Sequence, residues 1–149
     1  MKKSYKNQES GRSIIEIMGV LGLMGLISIG AFVLIRSGMA SHRRTMVMDD
    51  VSKIVTGVRS LYVDYDDYKE LGFDGKQGEN ALAAISVGTE GPYGKIEYGL
   101  YADKRSPDTF VVEIRNLSES DCEIFAAQSW PGAESKAKCE KETVTISYK

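Results

Sequence analysis

The chain of 149 residues has three prolines, and none comes before Pro92. A helix begun early therefore meets no obligate break before that point. Histidine occurs once and cysteine twice, too few for most structural zinc sites. With a single histidine and no serine in an elbow context, no nucleophile–base pair stands out, and an enzyme is not expected. The net charge of −2 singles out no acidic partner, and no nucleic-acid binding is evident. No internal repeat or low-complexity tract occurs, and neither a cofactor nor a metal is expected. The acidic stretch "DYDDYKELGFDG" (Asp64–Gly75) invites a calcium reading, but Lys69 stands where the calcium loop needs its turn glycine. A solvated helix end is the plainer account.

Charge is missing most conspicuously near the start. From Ile17 to Ile35 there are 19 residues without one charged side chain. As a helix they rise about 28 Å, close to the thickness of bilayer hydrocarbon. The run is too long for the core of a cleaved secretory signal, so a retained single membrane span is expected. Orientation does not follow from basic residues, because Lys2, Lys3, Lys6 and Arg12 precede the span while Arg36, Arg43 and Arg44 follow it. His42, Arg43 and Arg44 read most simply as a basic collar at the membrane surface. The cysteines decide more. Cys122 and Cys139 lie far beyond the span, and a lone pair in a small domain points to a disulfide made in an oxidising compartment. Two free or separately paired thiols are the alternative.

One acid interrupts this pattern. Glu16 sits just inside the apolar run that extends from Ile14 to Ile35, behind a polar stub ending in Ser10-Gly11. Beyond the run, Val47, Val51, Ile54, Val58, Leu61, Tyr65 and Tyr68 recur at steps of four and three. That spacing draws one stripe along an amphipathic helix. A continuous helix from Ile14 to about Asp67 is expected, apolar all round at first and on one face later.

The remainder has the texture of a small mixed domain. The glycine-rich segment from Leu71 to Pro92 reads as a loop with a short helix near Asn80–Ser86. Lys95–Ala102 and Thr109–Arg115 have strand composition, with turn residues between them. Ser118–Trp130 reads as a helix, with Ser118 and Asp121, or Ser120 and Glu123, spaced as a capping box. Glu142–Tyr148 alternates like a strand. The fold class expected is α+β: a long N-terminal helix packed against a small antiparallel sheet of about three strands. A disulfide between Cys122 and Cys139 would staple the short helix to the sheet edge.

Gly11, Arg12, Ser13, Ile14, Ile15 and Glu16, running on through "IMGVLGLMGLISIG", resemble the type IV pilin family. The long helix, glycine-rich connection, small sheet and C-terminal cysteine pair follow in the order such a chain would have. The wording "GRSIIEIMGVLG" is more similar to the type IVb branch than to type IVa. The resemblance implies a prepilin leader at 1–11, a transmembrane and filament-core helix at 12–36, its amphipathic continuation at 37–68, and a globular head at 69–149 with a disulfide region at 122–139. It implies cleavage between Gly11 and Arg12 by a prepilin peptidase and methylation of the new Arg12 amino group. Glu16 would then face the amino terminus of a neighbouring subunit.

The implied product is a helical homopolymer: an extracellular pilus filament whose precursor rests in inner-membrane lipid and is raised by an inner-membrane assembly platform. Two features depart from the family pattern. Arg12 stands where an apolar residue is usual, and no proline interrupts the apolar helix. Gly19, Gly22, Gly25 and Gly30 are expected to serve instead, by letting neighbouring backbones approach closely during assembly. Alternatives within the family are a minor pilin or a type II secretion pseudopilin. Outside it, the alternative is a single-pass membrane-anchored periplasmic binding protein.

Overall fold

A computed structural model describes residues 10–149, and side chains from Ile14 onward apart from Tyr93. Most of the expected leader, and the side-chain roles expected of Arg12, lie outside the described residues. The chain divides into two units, 1–42 and 43–149. Helix α1 runs from Ser10 to Leu61 and contributes to both. In the first unit α1 is the described structure. No described residue from Ile14 to His42 is buried, and the large apolar side chains from Ile14 to Ile35 are between 50% and 76% exposed.

The second unit is an α+β domain. The last turns of α1 are followed by α2 (Lys76–Ala84), β1 (Glu97–Ala102), β2 (Phe110–Arg115), α3 (Glu119–Ala127), β3 (Lys138–Glu140) and β4 (Thr143–Tyr148). The sheet is antiparallel, in the order β1-β2-β4-β3. Strand periodicity sends alternate side chains to opposite faces. Register builds three apolar rows on one face: Tyr98–Ile114–Val144, Leu100–Val112–Ile146 and Ala102–Phe110–Tyr148. All nine side chains are at most 3% exposed. Against them lies the stripe read from the sequence: Val47, Val51, Ile54 and Val58 are buried in the same core. The opposite sheet face carries Gly99, Tyr101, Glu113, Thr145 and Ser147 and is largely polar, with Val111 buried between Tyr101 and Ser147.

Close packing of α2 depends on a missing side chain. A Cβ on Gly78 would fall 1.8 Å from the Leu100 carbonyl oxygen, so glycine lets α2 rest directly on β1. Tyr98 adds a polar pin. Its hydroxyl donates to Asp50 Oδ2 at 3.0 Å, and burial, reinforced by the Asp50 charge, pushes the phenol well above its ordinary value.

Several expectations are corrected. The amphipathic helix ends at Leu61 rather than Asp67 or Tyr68, so the 37–68 segment is helical only in part. Asp64, Asp66 and Asp67 follow at once, and carboxylates oppose the negative end of the helix dipole. Tyr68 still joins the core, its ring 4.8 Å from Phe110, while its backbone N–H donates to the Pro107 carbonyl at 2.8 Å. Helix α2 begins at Lys76, four residues before Asn80. The sheet has four strands rather than about three: β3, only three residues long, is too short for periodicity to reveal. The boundaries of β1, β2, β4 and α3 fall within a few residues of the expected ones.

Candidate assembly site

In the first unit, the site residues expected from the sequence share an exposed helical rod. α1 contains a stretch long and apolar enough to cross a membrane. Gly11 and Arg12 lie in its first turn. Glu16 lies on the face that also presents Ile17, Val20, Leu21 and Met24, which line a shallow groove with it. Among the described residues, no ion pair or hydrogen bond engages the Glu16 carboxylate. Gly19, Gly22, Gly25 and Gly30 are equally unoccupied: a Cβ on any of them would meet nothing within 4 Å. The space these glycines leave is not filled by described parts of their own chain. Ser28 turns inward, its hydroxyl donating to the Met24 carbonyl at 2.8 Å, which hides one polar group along the apolar run.

In the second unit, Cys122 and Cys139 form a disulfide with their Cα atoms 5.6 Å apart. Cys122 lies on α3 and Cys139 on β3, so the helix is fastened to an edge strand as expected. Of the two possible caps, Ser118 is the one used, accepting a hydrogen bond from the Asp121 N–H at 3.2 Å. The acid of that box has a different task. Arg43 Nη2 and Arg44 Nε donate to the two oxygens of Asp121 at 2.6 and 2.8 Å, and the Ser118 hydroxyl donates at 2.9 Å. Arg43 and Arg44 thus hold α3 to α1 within the second unit instead of forming a free basic collar. The Asp121 side chain is 7% exposed and the guanidiniums about one third.

Burial alone would raise the Asp121 pKa. Bonds from Arg44 and Ser118 and the charge of Arg43 outweigh it and hold the carboxyl below its ordinary value. The sign of the linkage follows. A depressed folded-state pKa adds stability that is fully present above the unfolded value, about 4, and is lost as pH falls through the folded one. Stability of the domain is expected to hold down to about pH 4 and then to decline. Asp121→Asn should cost about 1–2 kcal/mol at neutral pH, a modest sum because both arginines remain partly solvated. It should also flatten the acid limb. Denaturant midpoints across pH would check this; parallel acid limbs for wild type and variant would refute it.

The arginine–aspartate clamp was not foreseen. Its only sequence signal is two adjacent arginines just past the apolar run and an acid in the first turn of a later helix. Comparison with protein-family models, with curated proteins and with solved structures finds no match to this chain.

Proposed function

We propose that this chain is the structural subunit of an extracellular filament of the type IV pilus kind. Its precursor is held in the inner membrane, cut between Gly11 and Arg12 by a prepilin peptidase, and assembled through its apolar helix. The observation that carries this reading is Glu16. It is an acid on an otherwise apolar helix with no cationic partner among the described residues of its own chain. A charged carboxylate in hydrocarbon costs roughly 2.5–3.5 kcal/mol on lenient scales, less near a helix end. An amino terminus supplied by the next copy removes most of that cost and fixes the axial register.

The surrounding helix supports the same reading. Lipid tails are as apolar as leucine, so apolar helices gain little by leaving lipid for one another unless backbones approach closely or charges pair. The open positions at Gly19, Gly22, Gly25 and Gly30 permit the first, and Glu16 supplies the second. Repeated heterologous contacts that do not close build an open fibre. The disulfide and the Asp121 clamp suit a domain that must persist outside the cell. The role is mechanical rather than catalytic.

Mass spectrometry of the chain recovered from sheared surface filaments tests the proposal. The expected mass begins at Arg12, with or without one methyl group. A chain that retains Met1–Gly11 and yields no filaments would replace this reading with that of a membrane-anchored binding protein.

A further inference from the structure

The segment leaving α1 builds a surface that borders the core at Tyr62 and Ala81 and that the proposed filament contact does not use. Tyr62 and Tyr65 sit with ring centroids 5.6 Å apart beside a hollow of about 370 Å³. Glu70, Gln77 and Asn80 line the same hollow. Among the described residues, no hydrogen bond or ion pair engages those three side chains. Tyr65 is half-exposed, and the phenol of Tyr62 is pushed up by burial first and by the Glu70 charge second, so carboxylate and rings are neighbours.

A second hollow of about 370 Å³ adjoins it, lined by Phe73, Asp74 and Lys104, and Gln77 belongs to both. Glycine makes this junction possible. Gly72 has φ +67°, and a Cβ there would fall 2.4 Å from Gln77 Oε1, so the carboxamide occupies the space between the hollows.

Two aromatic platforms separated by a planar amide, with a carboxylate and a second amide at the rim, match one ligand chemistry. The apolar C–H face of a pyranose packs on an aromatic ring, while its hydroxyls both donate and accept, as carboxylates and carboxamides require. We propose that this paired hollow binds a neutral saccharide of two or more linked rings, one ring over Tyr65 and the next toward Phe73. The lining leans against acidic sugars: Glu70 and Asp74 face it against one cation, Lys104. The site lies wholly in the second unit and does not depend on filament formation.

The test uses the full chain, purified in lauryldimethylamine oxide so that no sugar-headed detergent competes. Saturation-transfer NMR and calorimetry would measure lactose, diacetylchitobiose, their monosaccharides and sialyllactose. At least one neutral disaccharide should bind saturably, more tightly than either of its component rings, with sialyllactose weaker. Tyr65→Ala and Asn80→Ala should each weaken binding by about tenfold. Both positions are exposed, so circular dichroism and the thermal midpoint should not move. Gly72→Ala should also weaken binding, by displacing Gln77. Absence of saturable binding by either neutral disaccharide, equal binding of sialyllactose, or full affinity in Tyr65→Ala would each overturn the proposal.

Discussion

Glu16→Ala, on the proposed filament reading, is expected to leave the chain in the membrane yet reduce filaments to a small fraction of the wild-type amount. Alanine favours helix and suits hydrocarbon, so insertion gains from the change. What disappears is the attraction that fixes where one copy stops against the next. If that pairing relieves roughly 2.5–3.5 kcal/mol per subunit, its loss shifts each addition step by about two orders of magnitude. A polymer repeats the deficit at every contact. Glu16→Gln separates charge from shape: it keeps the size and hydrogen-bonding capacity but cannot form an ion pair, so it should fail nearly as badly. Immunoblots of membrane and sheared fractions, with electron microscopy of the latter, give the readout. Abundant filaments from Glu16→Gln would dismiss the ion pair while leaving the membrane helix untouched.

The second large effect concerns Cys122→Ser. Sixteen residues separate the two cysteines, and closing a loop of that size stabilises by roughly 3 kcal/mol. For a domain of about this size, that loss corresponds to a fall of roughly 10 °C or more in the thermal midpoint. The damage should be local at first. Strand β3 pairs only with β4, over Lys138–Glu140, so without the disulfide it keeps only that short ladder. The 128–137 connection stays fastened by Trp130 Nε1–H on the Phe125 carbonyl and Glu134 N–H on the Ser147 carbonyl. The Asp121 clamp would still keep α3 on α1. Limited proteolysis of the variant should therefore nick β3 before the helix. Wild type treated with reductant should behave alike. An unchanged midpoint in both would mean that strand pairing alone secures the edge.

Much of this architecture was legible because its signals are local. The step-of-four-and-three stripe from Val47 to Val58 became the buried face of α1, and the alternation in Glu142–Tyr148 became β4. Ser118 could be named as a cap from spacing alone. What escaped notice depended on partners far away in sequence. Arg43 and Arg44 meet Asp121 across 78 and 77 residues, and nothing within either segment announces the other. The tyrosine steps to Tyr65 and Tyr68 continued the helical period after the helix had ended; the acids among them decided the matter, and Tyr68 packed through a turn instead. Strand β3 exists because β4 offers an edge and Cys139 is tethered, not because "KCE" favours extension.

The order β1-β2-β4-β3 also sets a timetable. In chain order β4 follows both of the strands it lies between, so neither can complete its hydrogen bonding until Thr143–Tyr148 arrive. Until then the β1–β2 hairpin waits with one margin bare, and β3 has no strand to pair with. Strand β3 carries Cys139, so the bridge to α3 and the ladder to β4 secure the same short edge from two sides.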